Sequence, residues 1–273
     1  MNKKEKHKQD LVPLFDEFLE TGNADTIVNY LLANSNLPGP RGNLELAVTF
    51  AEVVEELFAE APEQLWRFCS QLAVISADEA PVNDPKEFLP FCGACAVGAL
   101  GAVSAACYQE ALTQLRGVAG DLRWRMREGV AMALQRLIET QSETTLTELE
   151  GWIANGDWLA MRAVAAGVAE PLLLREKQTA ARALALHKKI FDRIVSVNER
   201  KSEQFTALKK GLGYTLSVVI AAIPEEGFAY MEQLIESRKQ DKDIRWILKE
   251  NLKKNRLAKN FPNEVAALKH LLQ

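Results

Sequence analysis

Apolar residues recur at intervals of three and four along almost the whole chain, and no stretch alternates apolar and polar residues as a half-buried β-strand does. This spacing collects apolar side chains on one face of an α-helix. Clusters of Pro, Gly, Asn and Asp divide the chain into about a dozen helical segments. The sequence therefore predicts an all-α fold. Two of its predicted buried stripes are Met126, Val130, Ala133, Leu134 and Leu137, and Ile244, Leu248 and Leu252.

Length, charge and cysteine content narrow the class of protein. The 273 residues carry a formal charge of -4 and are 48% hydrophobic, which is the composition of an ordinary globular chain. Four cysteines are too few for a disulfide scaffold and suit a reducing compartment. No apolar run follows the charged N-terminus, so no signal peptide is predicted. We expect a cytoplasmic protein.

A long uncharged segment, residues 88–109, raises the question of a membrane span. The segment consists mostly of Ala, Gly and Ser, which gain little free energy on transfer to lipid. We expect a central helix whose small residues let neighbouring backbones approach closely, and no membrane contact. Cys92 and Cys95 form a C-x-x-C pair in this segment, but no second pair follows at zinc spacing. They are predicted to be buried, inert thiols.

One motif occurs twice. Residues 121–128 and 243–250 both match D-(L/I)-R-W-x-(M/L)-(R/K)-E, 122 positions apart. Residues 156–162 and 203–209 contain weaker copies. The corresponding basic residues are 35, 47 and 40 positions apart; they are Arg127, Arg162, Lys209 and Lys249. A loose period near forty residues, with two helices per unit, is typical of an α-solenoid.

From about 109 to 257 the chain resembles a HEAT-repeat (armadillo-like) protein. In that family the second helix of each repeat begins with an Asp and carries a basic residue six positions later, and the two help to link successive repeats. Asp121 with Arg127 and Asp243 with Lys249 fit this spacing. The resemblance implies a curved superhelix of antiparallel helix pairs, with residues 10–273 as one domain behind a basic tail of residues 1–9.

The polar side of the repeat helices is the strongest functional hint. Trp residues are followed by basic residues at helical spacing, and second helices line the concave side of a solenoid. Such a surface suits stacking and contact with anions, although the same Trp residues could pack between repeats and the same cations could pair with Asp. The candidate binding face comprises Trp124, Arg127, Trp158, Arg162, Arg245, Trp246, Lys249 and Lys253.

A Pro- and Gly-rich turn supplies a second candidate. Arg41, Asn43 and Glu45 follow Pro38 and Pro40 and are a candidate binding loop, with Asn43 as a plausible helix N-cap. Turn chemistry alone would also explain these residue types.

Charge is unevenly distributed. Residues 238–260 carry a net charge of +6 and residues 1–9 a net charge of +3, which leaves -13 for the remainder. Arg245, Lys249, Lys253 and Arg256 recur at intervals of four, four and three, which predicts a basic stripe near one face of a helix. Such a basic C-terminal end could meet phosphates or an acidic protein.

No phosphate loop, nucleophile elbow or metalloprotease motif occurs. We therefore expect a non-catalytic interaction module that needs no cofactor or metal and binds a protein or peptide on its concave face. The alternative is nucleic-acid binding, because the Trp-plus-Arg helices also resemble the HEAT-like alkylpurine DNA glycosylases. That resemblance implies a concave Trp/Arg groove, with residues 157, 158 and 162 as its nearest local match.

Overall fold

Short turns connect successive helices along the chain, as the apolar periodicity predicts. In the computed structural model, which describes residues 2–273, 77% of the chain is helical and none of these residues lies in a strand. The predicted all-α class is confirmed. The chain divides into two compact units, Met1–Thr140 and Gln141–Gln273.

The first unit contains seven α-helices among its described residues. They are α1 (Lys3–Thr21), α2 (Asp25–Ala33), α3 (Leu44–Leu57), α4 (Pro62–Ala73), α5 (Phe88–Val103), α6 (Ala105–Val118) and α7 (Trp124–Thr140). Both predicted stripes are confirmed as buried, the first of them on α7. The N-cap predicted at Asn43 is also formed. The Asn43 side chain accepts a hydrogen bond from the backbone N–H of Leu46 and caps α3.

Helix α5 forms the core of the first unit and packs against α3, α4, α6 and α7. Fourteen of its sixteen residues are buried. A Cβ atom on Gly93 would lie 2.3 Å from the backbone nitrogen of Ala73, and one on Gly98 would lie 2.5 Å from Cα of Ala133. Both positions therefore require glycine, because the neighbouring helix backbones leave no room for a side chain.

The same segment meets a length-and-composition test for a membrane span. Within residues 2–273, Pro85–Val103 is the one helical stretch that does so, with a mean hydropathy of 1.3. In its most apolar 18-residue window, 83% is buried inside the first unit. This burial fits the central helix expected from its small residues.

The second unit is also built of helices. They are α8 (Ser142–Asn155), α9 (Trp158–Gly167), α10 (Lys177–Ser196), α11 (Glu203–Ala222), α12 (Pro224–Ser237), α13 (Lys242–Leu252), α14 (Asn255–Ala258) and α15 (Pro262–Leu271). Helix α11 packs against α9 on one side and α13 on the other, so these three helices form a row. Helices α8, α10 and α12 precede the members of this row in turn, and each contacts the helix that follows it.

The chain start differs from the expected tail. Lys3–Thr21 is helical, and a capping box between Asn2 and Glu5 begins this helix. Lys4 and Lys8 reach Glu52 and Glu56 of α3, each at 2.6 Å. Residues 2–9 therefore belong to the packed fold, and Met1 lies outside the described residues.

The helix starts predicted at Asp121 and Asp243 are shifted. Helix α7 begins at Trp124, and the Asp121 carboxylate accepts hydrogen bonds from the backbone N–H and the guanidinium of Arg123. Helix α13 is capped by Asp241, whose carboxylate accepts from the backbone N–H groups of Asp243 and Ile244. Each motif Asp therefore lies beside a helix N-terminus and not at its N-cap position.

Candidate functional site

The exposed side of the row formed by α9, α11 and α13 gathers five of the eight residues of the predicted binding face. Helix α11 presents Lys210 and Tyr214, four positions apart, to solvent, and Tyr214 is 48% exposed. A Cβ atom on Gly211 would lie 3.3 Å from Cγ of Arg162 on α9. One on Gly213 would lie 3.1 Å from the indole of Trp246 on α13. Small residues thus let α9 and α13 side chains close against α11.

These side chains define a surface that we call the aromatic–basic face. It combines three aromatic rings with four cations on adjacent helices. Its members are Trp158, Arg162, Lys210, Tyr214, Trp246, Lys249 and Lys253.

An ion pair connects two helices of the face. Lys209 Nζ of α11 lies 2.8 Å from Asp243 Oδ1 of α13. The same ammonium lies 5.1 Å from the centroid of the Trp246 ring, a cation–π distance. Lys209 therefore fixes one side of the Trp246 indole, while the α11 backbone at Gly213 lies against the ring.

Carboxylates at the start of α13 are held by cations. Asp241 Oδ2 accepts a hydrogen bond of 2.7 Å from Arg200. Burial alone would raise the pKa of Asp241, but the bond from Arg200 and two backbone N–H groups outweigh it, and the pKa is lowered. Asp241 therefore stays ionised and stabilises the helix N-terminus.

The predicted basic stripe is only partly formed. Lys249 and Lys253 are exposed, and Lys253 pairs with Glu250 at 2.6 Å. Arg245 instead donates hydrogen bonds to the backbone carbonyls of Lys239 and Leu272. The stripe was predicted to continue to Arg256, and this is wrong because α13 ends at Leu252 and Arg256 lies on α14.

Trp158 is half-buried and lies edge-on to Phe205 of α11, with ring centroids 5.2 Å apart. The preceding residue, Asp157, caps α9 by accepting from the backbone N–H of Ala160. Trp158 therefore packs between helices, and its remaining exposed surface belongs to the aromatic–basic face.

In the first unit, Trp124 and Arg127 occupy the start of α7. Trp124 is 40% exposed, and the guanidinium of Arg125 lies 4.6 Å from its ring centroid. Arg127 donates to the backbone carbonyls of Asp121 and Leu122. Burial lowers the pKa of Arg127, and the Asp121 charge opposes this shift. Arg127 therefore organises the turn before α7.

The candidate loop supports the first unit internally. Asn43 is buried, and its amide donates to the carbonyl of Asn34 at 2.9 Å. Arg41 and Glu45 are exposed, and Glu45 lies 3.9 Å from Lys3. Arg125 anchors the loop by donating to the carbonyl of Gly39 at 2.7 Å. Of the three predicted loop residues, Asn43 thus has a structural role, while Arg41 and Glu45 remain accessible.

The C-x-x-C pair lies inside α5. Cys92 and Cys95 are 0% and 4% exposed, which confirms their predicted burial. Burial raises the pKa of both thiols, and that of Cys95 to about 12. Among residues 2–273, no three His, Cys, Asp or Glu side chains are grouped so that they could hold a metal ion.

Lys210 and Tyr214 are not among the binding residues predicted from the sequence. Both follow the weakest motif copy, in which the aromatic residue no longer occupies the Trp position. Their four-residue spacing on one side of α11 was the available signal.

Fold and surface together define an all-helical protein with an aromatic and basic surface on a row of three helices. Comparison of the chain with protein-family models, curated proteins and solved structures finds no match in any of the three.

Proposed function

We propose that this chain is a non-catalytic interaction module of HEAT-like helix pairs, arranged as an α-solenoid, that binds a protein or peptide on its aromatic–basic face. The observation that carries the proposal is the row of α9, α11 and α13, each reached through a preceding helix. The ion pair from Lys209 to Asp243 supports the HEAT-like assignment, because it joins a basic residue of one helix pair to the Asp of the next.

The chemistry of the face suits a polypeptide with acidic groups. Lys210 and Lys249 are exposed, and neither makes an ion pair with a carboxylate among the described residues. Tyr214 and Trp246 offer apolar ring surface with a polar edge, a combination common at protein interfaces. An acidic peptide could therefore gain both charge and contact area along α11.

Nucleic-acid binding, including a DNA-alkylation-repair-like role, is the second candidate. The nine Lys and Arg residues between 238 and 260 favour it. The surroundings of the rings favour the peptide, because Lys209 covers one side of Trp246 and Arg256 lies 4.6 Å from the Tyr214 ring centroid. Bases need an open ring surface on which to stack.

A pull-down from extract of the native host, with and without nuclease, tests the proposal. We expect protein partners that persist after nuclease treatment and are lost in a Lys210→Glu, Lys249→Glu variant. A Lys239→Glu, Lys269→Glu variant changes two exposed lysines off the face by the same charge and should retain them. Loss of all partners on nuclease treatment would contradict the proposal and favour the nucleic-acid role.

A salt titration separates the two candidates with purified components. Binding of duplex DNA, single-stranded DNA and polyglutamate is compared between wild type and Lys253→Ala. A marked preference for duplex, with affinity falling steeply as salt rises, would support nucleic-acid recognition. Preference for polyglutamate would support the acidic peptide.

A further inference from the structure

A cavity of about 690 Å³ lies in the second unit, between the segment before α10, the end of α11 and the start of α14. Its apolar lining includes Leu174, Val218 and Ala221. Leu174 and Val218 are each 3% exposed, so they form a fixed floor. The volume falls within the range of about 300–1,000 Å³ that is usual for ligand sites.

Four cations border this apolar floor, and no carboxylate contributes to the lining. They are Arg175, Lys177, Lys254 and Arg256. None of the four makes an ion pair within residues 2–273. Cations gathered without ion-pair partners raise the local positive potential, and an anionic ligand would lower it.

The cavity continues the aromatic–basic face along α11. Tyr214 precedes Val218 by four residues and Ala221 by seven, so the three residues follow one side of the helix. Arg256 borders both regions, because it lines the cavity and donates a hydrogen bond of 2.6 Å to the Tyr214 hydroxyl. A chain lying on the exposed side of α11 would therefore pass from the face to the cavity.

We propose that this cavity binds an acidic peptide segment that inserts an apolar side chain. The apolar side chain contacts Ala221 and Ala222 above the buried Leu174 and Val218, and flanking Asp or Glu side chains pair with Arg175 and Lys177. This assignment rests on the proposed function, since it names the chemistry of the partner and the place where its anchor residue binds.

The cavity floor favours a peptide over a nucleic acid. Phosphate contacts would use the cations but leave the accessible apolar lining at Ala221 and Ala222 in contact with water. The ring of Tyr214, which Arg256 connects to the cavity, already has the Arg256 guanidinium over it. A peptide with an aliphatic or aromatic side chain between two carboxylates would contact both the apolar lining and the cations that border it.

Fluorescence anisotropy of the full chain with labelled peptides tests the proposal. The first probe has two adjacent Leu residues flanked by Glu on both sides. A second replaces both Leu by Ser, a third replaces every Glu by Lys, and a single-stranded oligonucleotide of equal charge is the fourth. We expect the first to bind most tightly and the Leu-to-Ser change to weaken binding about fivefold or more.

Two variants locate the binding site. Arg175→Gln with Lys177→Gln should weaken binding of the first probe by about fivefold or more, as the loss of two contacts to charged groups implies. Ala222→Glu adds a carboxylate at an exposed position of the cavity lining and should weaken it as well. Lys239→Gln with Lys269→Gln removes the same charge elsewhere in the unit and should leave the affinity unchanged. Thermal melts by circular dichroism check that each variant is folded.

Several outcomes would overturn the assignment. Equal binding of the Leu and Ser peptides would show a nonspecific anionic surface, and tighter binding of the oligonucleotide would show a nucleic-acid site. No binding of the first probe, or equal losses in the Arg175/Lys177 variant and its control, would also exclude the cavity.

The test separates this inference from the proposed function. If the pull-down partners depend on Lys210 and Lys249 but the peptide series shows no dependence on the cavity, the proposed function stands and the cavity assignment fails. If no protein partner depends on the face, the proposed function fails, whatever the peptides show.

Discussion

Lys209 and Asp243 form an ion pair of 2.8 Å between neighbouring helices. Each side chain is 27% exposed, so water screens the pair only in part. Because the Lys209 ammonium also lies over the Trp246 ring, this contact positions an aromatic side chain of the proposed binding face.

Removing this pair should cost a modest amount of stability. We expect Lys209→Met and Asp243→Asn each to lower the free energy of unfolding by about 1 kcal/mol, with a coupling of about 0.5–1 kcal/mol in the double-mutant cycle. Urea titration followed by circular dichroism measures these values. Lys210→Met, which removes an exposed cation with no carboxylate partner, should stay within about 0.5 kcal/mol of wild type. Strict additivity of the two changes would show that the pair contributes nothing.

Two glycine substitutions should have opposite effects. Gly93→Ala places a methyl group 2.3 Å from the backbone of Ala73 and should destabilise the first unit by about 1–3 kcal/mol or more. Gly117→Ala lies within α6, where nothing is within 4 Å of the new Cβ atom, and should stabilise by up to about 1 kcal/mol. Thermal melts compare the two. Similar melting temperatures would mean that α4 and α5 are not packed as closely as described.

Asp121 should contribute more to the free energy of unfolding than an ordinary capping residue does. Arg123 is 2% exposed and donates to Asp121 and to the carbonyls of Ile75, Ser76 and Ala80. Asp121→Ala leaves this buried guanidinium without its counter-charge and should cost about 3 kcal/mol. Asp157→Ala removes an N-cap and should cost about 1 kcal/mol. Equal costs for the two variants in denaturant titrations would contradict the assigned role.

Limited proteolysis tests the structural role of Asp121 independently. The segment from Ile75 to Ala80 is held by the Arg123 guanidinium, so Asp121→Ala should speed cleavage near it. The cleavage rate in Asp157→Ala should not change at this place.

His187 should make the second unit sensitive to acid. The imidazole is fully buried between the Ala183 carbonyl, 2.9 Å from Nδ1, and the Thr215 hydroxyl, 3.0 Å from Nε2. Burial lowers its pKa to about 4 from 6.5. Between these values the unfolded chain binds the proton and the folded chain does not, so the free energy of unfolding falls as pH falls. The loss from this group should reach about 3 kcal/mol near pH 4.

His187→Gln provides the control, because its amide does not titrate in this range. The stability advantage of wild type over the variant should shrink as pH falls from about 7 to about 4. Urea titrations at each pH measure the difference in free energy of unfolding between the two proteins. The contributions of other titrating groups are the same in both and cancel. A constant difference would contradict the buried neutral imidazole.

Thiol labelling should distinguish buried from accessible cysteines. Cys69, Cys92 and Cys95 are buried, and burial raises the pKa of each thiol, whereas Cys107 is half-buried at the start of α6. At about pH 8 a disulfide reagent should react with Cys107 first, and with all four cysteines only in denaturant. Cys107→Ser should abolish the fast phase. Fast labelling of Cys92 in the folded protein would contradict the core position of α5.

Much of the fold follows from local patterns in the sequence. The stripe from Met126 to Leu137 is buried as its spacing predicts, and Asn43 and Asp157 cap helices because their side chains suit that position. The candidate face is harder to predict, since it depends on which helices are neighbours. Arg245 lies in the same motif copy as Lys249, yet only Lys249 remains exposed, because Arg245 reaches the Leu272 carbonyl 27 residues away.

The burial of α5 on all sides has a consequence during synthesis. Helix α7, which covers α5 more extensively than any other helix, ends 37 residues after it. At about 5–20 residues per second a ribosome needs about 2–7 s to add that length. For this interval the nascent chain carries an apolar, uncharged helix without its main cover. The first unit should therefore need a chaperone most between the emergence of α5 from the ribosome and the emergence of α7.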